Sequence, residues 1–329
     1  MSGIRVGIAG VTGYGGQELL RLAARHPQVE VTAAMASSAR DGERALPSLT
    51  GVWSGDITPL SVADLTRSVD AVFLALPEAA SAELVPELVA RGARVFDLSG
   101  AFRLRSAAAR ARWYPKTPEL ETPILYGLTE RCRAALPDAR VVSCPGCYPT
   151  SALLALQPLA EAGVIEGDVV IDAKSGISGA GKTPSEKTHF SERHGSVAAY
   201  GVLAHRHAAE MEQQLERAVT FVPHLVPLDR GILATIYVRV RPGTTEAAVA
   251  GLFEQAYGDA PLVRLRHAAL PDIRQVAYTN FCDIGWKLDA DSGRMVLVSC
   301  LDNLGKGAAG QALQNLNVAF GLEEQAGLL

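Results

Sequence analysis

A chain of 329 residues can form two domains, and with 48% hydrophobic and 20% charged residues its composition is ordinary for a globular protein. A formal net charge of -4 excludes the basic surface that nucleic acid or an anionic membrane would need. Five cysteines argue against a disulfide framework. No basic start with a following apolar stretch marks a signal peptide, and no apolar run approaches the roughly 18 residues of a membrane span, so a reducing cytoplasm is the expected location.

In chain order, Ile4 to Ala9 is a short apolar run that leads into Gly10-Val11-Thr12-Gly13-Tyr14-Gly15-Gly16. Gln17 to Arg25 then has helical spacing, with Leu19, Leu20 and Leu22 on one side. Val29 to Met35, Ala71 to Leu76, Arg94 to Leu98 and Val141 to Ser143 read as further strands, with a helix over Ala79–Arg91. Nearly all-apolar strands that alternate with helices predict a parallel sheet covered on both faces. Beyond Cys144-Pro145-Gly146-Cys147 a helix is expected over Ser151 to Leu159.

The second half has another pattern. Val169–Ala173, Thr220–Pro227, Ile232–Val240, Tyr278–Leu288 and Arg294–Cys300 are longer, alternating strands, with helices at His207–Arg217 and Glu246–Tyr257. The tail from Gly307 to Phe320 reads as an amphipathic helix that returns to the first domain. The predicted fold class is therefore α/β. A Rossmann-type doubly wound parallel sheet over 1–146, completed by the C-terminal helix 305–329, is joined to an α+β domain over 147–304 with a mostly antiparallel sheet.

Gly10, Gly13 and Gly16 stand between a strand and a helix, where a dinucleotide fingerprint belongs. The glycines allow a tight turn, and the helix N-terminus faces a pyrophosphate. An NAD site usually carries an acidic residue about 20 positions on. No acid occurs between Glu30 and Asp41; Ser37, Ser38 and Arg40 lie there instead, a set that suits a 2'-phosphate. NADP(H) is the expected cofactor, with Gly10, Val11, Thr12, Gly13, Gly16, Ser37, Ser38 and Arg40 at its site.

Cys147 follows a glycine at the start of a helix, where unpaired backbone N–H groups and the helix dipole favour a thiolate. It is the candidate nucleophile, and Cys132, Cys282 and Cys300 read as small buried thiols. Cys144 and Cys147 also form a C-x-x-C pair, but no second pair follows that would complete a metal site, and no metal is expected. Gly176 to Thr183 matches G-x-x-x-x-G-K-[ST], the phosphate loop of nucleoside triphosphatases. Pro184 and the polar run after it stand where that loop needs a long helix, so a kinase or ATPase is disfavoured. His205-Arg206-His207 opens a helix on which Glu210 shares a face with His207, whereas His205 and His207 do not share one. A histidine is the natural proton carrier beside a cysteine nucleophile.

Together these segments resemble a known family, the N-acetyl-gamma-glutamyl-phosphate reductases, relatives of the aspartate-semialdehyde dehydrogenases. The matching residues are Gly10–Gly16, Leu98–Arg103, Gly146–Thr150, Lys174–Lys182, His205–His207 and Asp302-Asn303-Leu304 with Lys306-Gly307. The family usually carries glycines just before the first histidine, where this chain has Val202-Leu203-Ala204. The resemblance implies a phosphorylating oxidoreductase of arginine biosynthesis. Cys147 would attack N-acetyl-glutamyl 5-phosphate, and NADPH would reduce the resulting thioester to the semialdehyde. It further implies His205 as proton carrier with His207 as second choice, Ser178, Gly179 and Asn303 at the cofactor, and Arg103, Lys182 and Arg206 as substrate anion partners. A sister group acts on carrier-protein-linked aminoadipyl or glutamyl phosphate, but the forms of Tyr148-Pro149-Thr150 and Ser175–Lys182 favour the free small-molecule acyl phosphate. A homodimer or homotetramer is expected, with neither nucleic acid nor membrane as partner.

Overall fold

A computed structural model describes residues 3–36, 46–67 and 69–329. Contacts divide the chain into two compact units, one of Met1–Gly146 with Ala308–Leu329 and the other of Cys147–Gly307. Residues 305–307, expected with the C-terminal helix, therefore group with the second unit. Ser37, Ser38 and Arg40 lie outside the described residues.

The first unit starts with β1 (Ile4–Ala9), α1 (Tyr14–Ala23), β2 (Val29–Ala36), β3 (Ile57–Pro59), α2 (Val62–Leu65) and β4 (Ala71–Leu74). It continues through α3 (Glu78–Ala90), β5 (Val95–Asp97), α4 (Ala107–Trp113), β6 (Ile124–Tyr126), α5 (Thr129–Cys132) and β7 (Val141–Ser143). The seven described strands form one parallel sheet in the order β3-β2-β1-β4-β5-β7-β6. The order reverses between β1 and β4, so the glycine loop after β1 lies at the switch point where such sheets bind ligands. β4 is wholly buried, which explains its unbroken apolar run, and β5 is equally buried although it ends on Asp97.

The second unit opens with α6 (Cys147–Glu161), β8 (Ile165–Gly176) and a small α7 (Phe190–Arg193), followed by β9 (Ala198–Ala199), α8 (Arg206–Leu215), β10 (Val219–Val226) and β11 (Ile232–Val240). It closes with α9 (Glu246–Tyr257), β12 (Val263–His267), β13 (Cys282–Asp289) and β14 (Arg294–Leu301). Its sheet runs β12-β13-β14-β11-β8-β10-β9. Four of these ladders are antiparallel, while β8–β10 and β12–β13 are parallel. β8 is longer than the expected Val169–Ala173 because it also takes in the exposed Glu166, Gly167 and Asp168 before that apolar run and Lys174 to Gly176 after it. The strand expected from Tyr278 starts only at Cys282; Tyr278 itself has a φ of 61° and belongs to a turn.

The chain ends with α10 (Gly310–Ala319) in the first unit. The amphipathic pattern expected here is corrected, since every residue from Gly310 to Asn317 is buried. Its polar side chains meet polar partners rather than water. Asn315 accepts from Thr129 Oγ1 at 2.7 Å and donates to the Gly127 carbonyl at 2.8 Å, and Gln314 donates to Glu130 at 2.9 Å. Among the described residues, no helix is long and apolar enough to cross a membrane.

Candidate active site

In the first unit, Gly10 has a φ of 92°, and a Cβ there would collide with the Ala75 carbonyl. A Cβ on Gly16 would strike the Gly10 carbonyl. The loop can therefore take this path only with glycine at both places. Gly13 caps α1 without a side-chain acceptor, so the first N–H groups of the helix are left for a ligand. Gln17 Nε2 donates to the Thr12 carbonyl at 3.0 Å, and Val11 N–H to the Met35 carbonyl at 3.2 Å, which fix the loop's two sides. This cradle fits a dinucleotide pyrophosphate.

Arg103 belongs to the same unit and is 7% exposed. Its Nε donates to the Cys144 carbonyl at 2.8 Å and its Nη2 to the Leu98 carbonyl at 2.7 Å, so the ends of two strands aim the guanidinium. The Cys144 thiol is fully buried, and burial pushes it up to about 12. Burial thus disfavours the thiolate that a dithiol reading of C-x-x-C would need. Cys282 and Cys300 are buried as expected, but Cys132 is only half-buried. No cluster of three or more metal-ligating side chains exists among the described residues.

In the second unit, Cys147 is the first residue of α6 and half-buried, at the positive end of the helix dipole. The side chains of Tyr148 to Leu159 behind it are all buried, which makes α6 a rigid support. A Cβ on Gly307 would lie 2.9 Å from Cys147 Cβ, so the backbone at Gly307 forms the wall beside the nucleophile. Asp302, fully buried, shapes that wall. Its Oδ1 accepts from the N–H groups of Leu304 and Gly305 at 2.8 Å each, and its Oδ2 from Tyr278 N–H at 2.6 Å.

His205 is the N-cap of α8, and its Nδ1 accepts from His207 N–H at 3.1 Å. That bond places the ring proton on Nε2. Burial, and then the Arg206 charge, push the imidazole down to about 4. His205 and His207 do not share a face of α8, yet their ring centroids are 4.7 Å from each other. A cap residue lies outside the helix, so the facing rule does not govern it. His207 and Glu210 do share the buried face of α8, together with Met211. Arg206 and Lys182 are both exposed.

Sequence reasoning missed the roles of two tyrosines. Tyr148 donates its hydroxyl to the His224 carbonyl at 3.1 Å, and Tyr200 donates to Tyr148 at 3.4 Å. Burial raises both phenols, Tyr200 to about 12, and the Cys147 charge adds to each shift. Tyr200 precedes His205 by five residues in a stretch without periodicity, and that nearness was its one signal. Ser178, Gly179 and Asn303 do come together. Asn303 Nδ2 donates to Ser178 Oγ at 3.0 Å and its Oδ1 accepts from Gly231 N–H at 2.7 Å, which ties the Asp302–Gly307 turn to the loop after β8. That loop continues as a 3-10 turn, Ile177–Ala180, and not as the helix of a triphosphate site.

Two family models match the chain. Residues 5–139 match the semialdehyde dehydrogenase NAD binding domain, and residues 147–303 match the semialdehyde dehydrogenase dimerisation domain. The N-acetyl-gamma-glutamyl-phosphate reductase of Brevibacillus brevis is 42% identical, across 99% of this chain and 98% of its own length. That of Desulforapulum autotrophicum is 43% identical with the same coverage.

The chain belongs to the N-acetyl-gamma-glutamyl-phosphate reductase family.

Solved structures agree on the fold. Aspartate semialdehyde dehydrogenase II from Vibrio cholerae aligns with a TM-score of 0.74 at 18% identity, over 97% of this chain and 99% of that one. The Candida albicans aspartate semialdehyde dehydrogenase, solved with NADP, gives 0.69 at 16% identity, over 96% and 98%. The match to the NAD binding domain model supports a nicotinamide cofactor.

Proposed function

We propose that the chain reduces N-acetyl-L-glutamyl 5-phosphate to N-acetyl-L-glutamate 5-semialdehyde in arginine biosynthesis, with NADPH as reductant and Cys147 as the acyl carrier. The observation that carries this reading is the placement of Cys147 at the first position of a buried helix, against Gly307 and next in sequence to the tyrosine that packs on His205. The Cys147 thiolate attacks the acyl-phosphate carbonyl, the C–S bond forms, the C–O bond to phosphate breaks, and phosphate leaves with the electron pair. Arg103 and the exposed Lys182 and Arg206 are the groups proposed to receive the phosphate and the substrate carboxylate. The bound nicotinamide supplies the hydride that reduces the thioester carbonyl. His205, neutral and carrying its proton on Nε2, donates a hydrogen bond to the oxyanion that develops on the reduced carbon. Collapse of that oxyanion breaks the C–S bond, returns the thiolate to Cys147 and releases the aldehyde.

The preference for NADP rests on Ser37, Ser38 and Arg40 and on the lack of an acid between Glu30 and Asp41. The enzyme is also proposed to work as a homo-oligomer. Tyr237, 45% exposed in mid-strand, lies level with Val170 and Val296 across three neighbouring strands, on the sheet face opposite buried Ile236. The matching dimerisation domain model covers this sheet. Light scattering should accordingly return at least twice the mass of one chain.

Cys147→Ala tests the mechanism. It should bind NADPH, more tightly than NADH, and lose turnover by at least about a thousand-fold; a variant that still turns over would remove the covalent step.

A further inference from the structure

His205 stands inside a cage of four rings. Phe221 lies 5.4 Å away at 84° and Tyr200 5.5 Å away at 70°; Tyr148 is at 6.1 Å and 90°, and His207 at 4.7 Å and 64°. All four present edge-to-face geometry to the imidazole. Three of them come from firm structure: Tyr148 from the first turn of α6, His207 from the buried face of α8, and Phe221, 1% exposed, from β10.

Tyr200 has a different origin. It is carried by the segment 182–204 between β8 and α8, where most side chains are exposed, among them Phe190 at 74% and Leu203 at 72%. Three ties pin it. β9 pairs with His224 and Leu225 of β10, Tyr200 N–H donates to the Pro223 carbonyl at 3.0 Å, and its hydroxyl reaches Tyr148 at 3.4 Å, near the limit for a hydrogen bond. The ring edge is therefore what this segment contributes to the surroundings of His205.

We propose that Tyr200 is a positioning residue, whose ring, delivered by the exposed segment 182–204, closes the fourth side of the cage and holds the His205 imidazole dry in its capping geometry. The inference rests on the role given to His205 above. The titratable rings against the imidazole are His207 of α8, Tyr148 of α6 and Tyr200 itself, Arg206 of α8 is the charge that acts on it, and Phe221 of β10 carries no charge. Arg206 is the neighbour whose charge, after burial, holds the imidazole low. Loss of the Tyr200 ring leaves that charge in place and admits water, so the imidazole should rise toward an ordinary histidine value of about 6.5.

The experiment is an NMR pH titration of the histidine C–H signals in the substrate-free enzyme, with the His205 signal assigned by its loss in His205→Asn. In Tyr200→Ala the midpoint should move from about 4 to above about 5, and kcat should fall about ten- to a hundred-fold at nearly constant KM. Tyr200→Phe keeps the ring edge and should restore both to within about two-fold, since only a long hydrogen bond is lost. Tyr200→Leu serves if the alanine variant does not fold, with a midpoint shift in the same direction. An identical His205 titration in wild type and in the ring-less variants overturns the inference. A raised midpoint with unchanged kcat supports the cage, and it is then the role of His205 in the reaction that fails.

Discussion

Replacement of Gly307 by alanine probes the wall beside the nucleophile. The added methyl would sit 2.9 Å from Cys147 Cβ and 3.1 Å from both the Asp302 carbonyl oxygen and Leu301 Cδ1. Carbon atoms prefer about 3.5–4.0 Å, so the two Cβ atoms must separate by about 0.6–1.1 Å. Neither side yields easily. Gly307 N–H is bonded to the Asp302 carbonyl at 2.8 Å, and the buried flank of α6 holds Cys147. Overpacking of this kind costs about 1–3 kcal/mol of stability, and a displacement near 1 Å at a reacting atom costs about a hundred-fold in rate. Gly251→Ala on α9 is the control, because nothing lies within 4 Å of the new methyl and the helix should gain about 0.5–1 kcal/mol. Steady-state kinetics, iodoacetamide alkylation of Cys147 and urea denaturation report the three effects. Gly307→Ala with turnover within two-fold of wild type and an unmoved urea midpoint would refute the packing argument.

Leu203 has a φ of 55° and is 72% exposed. Leu203→Gly should relieve the left-handed strain and raise stability by about 0.5–1 kcal/mol in urea unfolding; lowered stability would show that the side chain makes contacts that outweigh the strain. Acid should weaken the fold through His205. Its folded value of about 4 is below the roughly 6.5 of an unfolded chain, so the unfolded state takes the proton first. The stabilisation is complete above about pH 6.5 and declines by about 2–3 kcal/mol as pH falls toward 4. His205→Asn keeps an acceptor at the helix cap and should flatten that decline; parallel pH curves for the two proteins would contradict the buried neutral imidazole.

A strand buried on both faces, such as β4, was legible because its apolar run is unbroken. β3, β6 and β9 were not, since two or three residues carry no period. α10 defeated the pattern argument for a different reason, because its glutamines and asparagines are satisfied inside the protein and imitate a solvent face. The positions of the glycine loop after β1 and of Cys147 at the start of α6 were legible in the sequence. The cage around His205 was not, because it joins Tyr148, Tyr200 and Phe221 from three separate elements. The facing rule on α8 likewise gave no sign that the rings of His205 and His207 come within 4.7 Å, because one of them is a cap.

The most direct test of the acyl-phosphate chemistry at Cys147 is the reverse reaction, with N-acetyl-glutamate 5-semialdehyde, NADP and inorganic phosphate, followed by NADPH absorbance. The account predicts NADPH formation that depends on phosphate and vanishes in Cys147→Ala. NADPH formation that is indifferent to phosphate, or no reaction by a protein that demonstrably binds NADPH, would contradict it.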